Sequence, residues 1–202
     1  MERATIVEVE LASLSPYSQS RFHNTPKIEK ELAEAYEART WKNRVHLNEK
    51  KHLIVPGMAI KKSLEGAAKL SKKKIPGKGA STWTQHIISG ISPLSDLDTG
   101  LTDESILGEW IHCDAQGGAR GNHTRVLRCY PMVKAWRGTA DFALFDELIT
   151  KEVLTEFLVE AGLQVGVGRF RPANGGTKGR YRVVNVVWKP LSLKDIEKRL
   201  AA

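Results

Sequence analysis

The chain has 202 residues, 31 Lys and Arg against 23 Asp and Glu, a formal charge of +8 and a hydrophobic fraction of 41%. That is enough to bury one proper core, and no apolar run reaches membrane-spanning length, so a spanning helix is excluded. Glu8 and Glu10 stand where a secretory leader needs an apolar core, and Cys113 and Cys129, with His112 and His123 nearby, match no zinc-ligand spacing, so the sequence predicts a soluble, cytoplasmic protein with reduced thiols and no metal or cofactor.

Residues 5–11 alternate Val7, Val9 and Leu11 with Glu8 and Glu10, the pattern of a strand with one buried face. Pro16 ends it, because proline has no N–H for a ladder, and a polar, irregular stretch follows to Asn24. Residues 27–39 read as a surface helix with Ile28, Leu32, Ala35 and Tyr36 on one side. Residues 41–54 read as a loop or short strand pair. Pro56 and Gly57 open a second helix over residues 58–70, with Ile60, Leu64, Ala67 and Ala68 on the core face and Lys61, Lys62, Glu65 and Lys69 opposite. Its start offers N–H groups at the positive end of the helix, which suits a phosphate.

Residues 71–134 show the weakest periodicity and are expected to project from the core as an inserted subdomain, with strands at 107–113 and 126–133. Ordered patterning returns at 139–145, a strand in which Ala140, Phe142 and Leu144 alternate with polar residues. Thr150 caps a helix reaching Ala161, and Gly162 is predicted to stop it. Residues 180–188 form a largely buried strand, and Ser192 with Asp195 suggests a capped terminal helix around Ile196 and Leu200. This order predicts an α+β fold: one domain over 1–202 with a ferredoxin-like (RRM-like) β-α-β-β-α-β core, a large insertion and a C-terminal glycine-rich loop. Two helices on one face of its sheet would leave the other face open to nucleic acid.

Between the last helix and the last strand, residues 162–179 hold six glycines, and the five bases Arg169, Arg171, Lys178, Arg180 and Arg182 follow with no acid from 162 to 190. Bare backbone amides among cations suit a polyanion. It is not a dinucleotide fingerprint, because no βαβ unit opens there, and Gly77-Lys78-Gly79 lacks the hydroxyl residue and upstream glycine of a P-loop. Residues 39–78 carry +10 and residues 162–190 carry +6, which leaves the rest of the chain at −8. Two basic blocks on an otherwise acidic chain imply a nucleic-acid partner, the alternative being a solubilising lysine face.

Three stretches in their order resemble the RAMP superfamily of CRISPR-associated proteins, most closely the backbone subunits that polymerise along guide RNA. They are the first strand ending in Leu14-Ser15-Pro16, the segment from His52 through Pro56-Gly57 to Leu64, and Gly166-Val167-Gly168-Arg169 continuing to Gly179-Arg180-Tyr181-Arg182-Val183. The sequence is also similar to proteins of phages and other mobile elements. Residues 170–178 lengthen the loop relative to that family's compact form. Some such backbone subunits cut RNA with an aspartate in the loop after the first strand; residues 17–26 contain none, and Glu37 is a poor substitute. The resemblance therefore implies a non-catalytic subunit that binds single-stranded RNA and packs against copies of itself or other subunits of a ribonucleoprotein complex.

The nucleic-acid-binding residues expected on this reading are Arg21, Arg39, Trp41, Lys42, Arg44, Gly57, Lys61, Lys62, Gly166, Gly168, Arg169, Phe170, Arg171, Lys178, Arg180 and Arg182. Trp41, Phe22, Phe170 and Trp83 are candidates for stacking on bases, with core packing as the alternative for each tryptophan. Two other readings stand beside it: a metal-independent endoribonuclease that uses His23 or His46, and a phage-type single-stranded DNA binder or an interaction protein acting on another complex.

Overall fold

The computed structural model describes residues 3–114 and 125–192. Strand β1 (Arg3–Ser13) lies inside a six-stranded sheet, second from one edge and antiparallel to both neighbours, β8 (Arg137–Leu144) and the edge strand β9 (Tyr181–Ser192). On the far side of β8 pair three short strands: β4 (Ile91–Pro93), β5 (Leu97–Asp98) and, through β5, β3 (Ile54–Val55). The alternation read in the sequence sets the register, with Val7 opposite Phe142 and Trp188 and Val9 opposite Ala140 and Val186. All of these except the half-buried Trp188 are buried in one core, as a period-two strand with one apolar face requires.

Over that core lie helices α2 (Gly57–Ser71) and α4 (Lys151–Glu160), together with α3 (Trp83–Gly90). Ile60, Leu64, Ala67 and Ala68 of α2 and Leu154, Phe157 and Leu158 of α4 are buried. The Thr150 hydroxyl accepts from the Val153 N–H and caps α4. Gly162 does not stop that helix. The chain widens into a π turn over Ala161–Val165, closed by Gly166 N–H on Ala161 O at 2.7 Å. Gly162 is there for another reason, because a Cβ would collide with the carbonyl of Tyr181 on β9.

The first helix is shorter than its pattern predicts. Helix α1 covers Ala33–Thr40 only, and Lys30 sits at φ 62°, a left-handed conformation that ends any helical run from residue 27. Ile28 and Leu32 are 61% and 76% exposed, so the apolar spacing there serves no core. Residues 41–54 form a 3₁₀ turn (Trp41–Arg44), a Leu47–Leu53 bridge and β3.

Residues 71–134, expected to project, divide into two parts. Ile87 of α3, Ile91 of β4 and Leu97 of β5 are fully buried in the main core, so this half completes the sheet. The other half forms β6 (Leu107–Asp114) and β7 (Arg125–Val133), which with β2 (Tyr17–Ser18) build a separate three-stranded sheet in the order β2-β7-β6. The terminal helix expected around Ile196 lies outside the described residues.

The sheet face turned away from the helices carries Glu8 and Glu10. Lys189 pairs with Glu8 at 3.3 Å and Arg137 with Glu10 at 2.6 Å. Among the described residues this face, expected to be open to nucleic acid, carries these cross-strand ion pairs and a small apolar patch in which Leu94 packs on Ile6 and Ala143.

Candidate nucleic-acid interface

Both anchor segments come from the chain's turns, and the first is the start of α2. Gly57 packs so closely against Ser95 O and Pro93 that a Cβ there would clash, and its N–H donates to the Asp96 carboxylate at 2.8 Å. The expected open N-terminus is therefore already capped by an acid, which favours the helix dipole and opposes a phosphate at that N–H.

The glycine-rich loop is the second segment, and it is a folded structure. Gly166, Gly168, Gly175 and Gly179 take φ between 70° and 76°, and a Cβ at Gly168 would overlap Ser18 O and the Tyr17 ring. Its amides are largely committed. Val167 N–H bonds Gly179 O, Arg169 N–H bonds Ser18 O, Lys178 N–H bonds Phe170 O and Gly179 N–H bonds Pro16 O, all at 2.8–2.9 Å. Gly175 and Gly176 donate within the loop to Pro172 O and Arg171 O. The glycines serve close backbone approach, and most of the amides expected to cradle phosphates hold the loop against β2 and itself.

The arginines are what the loop leaves available. Arg171 donates to Gly168 O at 3.1 Å, and Arg180 to Leu163 O at 3.0 Å and Thr177 O at 3.5 Å. The Arg169 guanidinium lies 4.0 Å from the Tyr130 ring centre and 5.0 Å from that of Phe170, and its buried Nε has no hydrogen-bond partner among the described residues. Among those residues none of the three pairs with a carboxylate. Arg182 is exposed on β9.

The two segments meet. A hollow of about 380 Å³ is lined by Tyr17, Gln19, His46, Pro56, Arg169 and Asn174. An adjoining hollow of about 370 Å³ is lined by Met58, Lys62, Ser63, Gly166 and Val167. Ala59, Gly168 and Arg171 line both, so the first turn of α2 and the glycine-rich loop share one concave surface.

The other expected cations stand differently. Arg44 is buried against Glu37 with contacts at 2.5 and 2.9 Å, and donates to Cys129 O. Burial alone would raise the Glu37 pKa, but hydrogen bonds from Arg44, Arg128 and the Cys129 N–H outweigh it and hold the carboxyl at about 2. Arg39 makes a two-pronged contact with Glu31 at 2.8 Å; Lys42 pairs with Asp103 and Lys178 with Glu109. Lys61 and Lys62 share Glu65 on α2. Arg21 is exposed, and its charge reaches His46. Among the aromatics, Trp83 is core, Trp41 is half-buried beside Gly108, Phe170 meets Tyr130 edge-on at 5.7 Å, and Phe22 is 87% exposed.

Sequence reasoning missed Gln19. Its buried amide donates to Ile54 O at 2.6 Å and to the Tyr17 hydroxyl, and accepts the His46 N–H at 2.6 Å, so it fixes one wall of the hollow. A single glutamine in a polar stretch gives no signal of this. Met58 and Asn174 also escaped notice. His46 lies in this wall, and burial first, then the charge of Arg21, lower its pKa below the usual value. His23 stacks on Tyr36 with centroids 6.3 Å apart and bonds Thr25. Among the described residues no group of three acidic, histidine or cysteine side chains is placed to hold a metal, and no helix is long and apolar enough to cross a membrane.

No family model and no curated protein sequence matches the chain. Its fold is similar to solved structures at very low sequence identity. One is a chain of the type III-B Cmr-beta bound to cognate target RNA, seen by cryo-EM, with TM-score 0.51 and 9% identity over 93% of this chain and 61% of that one. Another is Cmr6 from Pyrococcus furiosus, with TM-score 0.50 and 11% identity over 89% of this chain and 98% of that one. The chain thus spans about three-fifths of the first neighbour and nearly the whole of the second.

Proposed function

We propose that this protein is a RAMP-like, non-catalytic subunit that binds single-stranded RNA in a CRISPR-like ribonucleoprotein, alongside copies of itself or other subunits. The observation that carries the reading is the shared concave surface, where Arg169 and Arg171 stand beside the start of α2 without a carboxylate partner among the described residues. Cations uncompensated by the protein's own acids contribute most when a phosphate arrives. The two structural neighbours are consistent with it in fold, and one of them is a chain of the Cmr-beta structure bound to cognate target RNA.

The sheet order β9-β1-β8 followed by β4 and β5, with α2 and α4 as the crossovers, supports a ferredoxin-like core within a single domain. The β6–β7 hairpin is then the elaboration on it. Of the sequence-predicted cations, Arg169, Arg171, Arg180, Arg182, Arg21 and Lys62 make up the interface. Arg44 leaves the set, because its guanidinium is committed to Glu37 inside the protein.

The test is equilibrium binding of matched single-stranded RNA and DNA oligomers at several salt concentrations, with recovery of the RNA afterwards. Salt-sensitive RNA binding that leaves a hairpin substrate intact without metal supports the reading. Cleaved RNA would make it an endoribonuclease, and equal or tighter DNA binding would replace RNA as the ligand.

A further inference from the structure

The two adjoining hollows differ in chemistry although they share Arg171. The Tyr17 side is polar and cationic, with Gln19, His46, Arg169 and Asn174 in its wall. The other is walled mainly by apolar groups, Met58, Ala59 and Val167, with Lys62 at its edge. Each falls within the roughly 300–1,000 Å³ that accommodates a small ligand. A nucleotide has the same division, an anionic phosphate at one end and a flat, largely apolar ring face at the other.

We propose that the pair seats one nucleotide of the bound single strand across Arg171, with its phosphate on the Arg169 side and its base against Met58 and Ala59. This rests on the RNA-binding reading above. The phosphate end is matched by Arg169, whose buried Nε has no partner among the described residues, and by Arg171, which spends one N–H on Gly168 O. Arg169 lines the polar hollow with no carboxylate partner among the described residues, so its terminal N–H groups are the ones left for a phosphate oxygen. The base end is matched by Met58, half exposed on the first turn of α2, whose thioether packs well against an aromatic ring. Gly166 and Gly168 contribute only backbone to this wall.

The chain has three methionines, Met1, Met58 and Met132, so isotopic labelling of methionine methyl groups gives a direct reporter, with Met58 assigned from a Met58→Leu variant. Titration with a short oligoadenylate should move the Met58 methyl upfield by the ring current of a base and leave Met132 on β7 in place. An abasic ribose-phosphate strand of equal length should bind through its phosphates without that shift. Met58→Ala should weaken oligoadenylate binding about two- to tenfold and leave the abasic strand unaffected. A still Met58 resonance while binding persists and depends on Arg171 would overturn the seating and leave the RNA-binding reading intact. An equal Met58 shift with the abasic strand would also overturn it. Absence of any nucleic-acid binding would remove both.

Discussion

Replacing Arg169 and Arg171 together by alanine separates a phosphate contact from a structural one. Both line the polar hollow and neither has a carboxylate partner among the described residues, so each is free to neutralise one phosphate. For a single strand each such contact contributes roughly 0.7 to the slope of log affinity against log salt. Losing two should flatten the slope by about 1.4. Between roughly 50 and 200 mM salt the unmodified protein should then lose about sevenfold more affinity than the double variant. Stability should change as well, because the Arg169 guanidinium stacks 4.0 Å from the Tyr130 ring centre. That contact contributes about 0.5–2 kcal/mol, and for a chain of this length each kcal/mol lowers the melting temperature by about 2–4 °C. Fluorescence anisotropy across a salt series, with a melting curve for each protein, reads both. Lys73→Ala serves as a control, since Lys73 is engaged by Glu156 and Glu160. Parallel salt plots for the double variant and the unmodified protein would refute the assignment, whatever happened to the melting temperature.

Glu37→Gln should destabilise the fold by about 3–5 kcal/mol in urea unfolding, because it leaves Arg44 buried without its counter-charge; a loss below about 1 kcal/mol would show that the pair is dispensable. The same carboxylate sets an acid limit. Its pKa is depressed in the folded state to about 2 from 4.5, so its contribution is complete above the unfolded value and is lost as pH falls from 4.5 towards 2. The urea midpoint should decline across that window, and the decline should be smaller in Glu37→Gln. Gly168→Ala and Gly175→Ala share a left-handed φ, but only the first puts a methyl group into Ser18 O and Tyr17. Gly175→Ala should cost about 1–2 kcal/mol with binding unchanged, whereas Gly168→Ala should cost more and weaken RNA binding; equal effects in calorimetry and anisotropy would count against the loop packing described.

The parts of the fold that were legible are those where one pattern persisted long enough to be distinctive. Val7, Val9 and Leu11 on β1 and the Leu154–Phe157–Leu158 stripe on α4 announced strand and helix because their own periodicity decides which face is buried. Strands β4 and β5 have three and two residues, too few for a period, and their place in the main sheet comes from pairing with β8. The stretch before α1 misled for the opposite reason. Its spacing is helical, but Lys30 adopts a positive φ and no partner element covers Ile28 or Leu32 among the described residues. At the site, the glycine-rich loop was visible as composition. Its hydrogen bonds were not, because Pro16 and Ser18 take up its amides from a hundred and fifty residues away in the chain.

Folding redraws the charge map as well. Residues 39–78 look like the stronger cationic block, yet folding brings acids to many of its bases: Glu31 to Arg39, Glu37 to Arg44, Asp103 to Lys42, Glu156 and Glu160 to Lys73. These pairs are not equivalent when a phosphate competes. Lys42 and Asp103 are both more than half exposed, so their pairing contributes little and water or a phosphate can replace it. Arg44 and Glu37 are almost wholly shielded, and separating them would strand two charges in the interior. A surface cation therefore joins a nucleic-acid track in inverse order of what its intramolecular partner costs to give up. On the RNA-binding reading proposed above, that criterion puts the Arg169–Arg171 segment first, with no acid within residues 162–190 and none folded onto these two side chains among the described residues. On the same reading a phosphate would be able to recruit Lys42 but not Arg44.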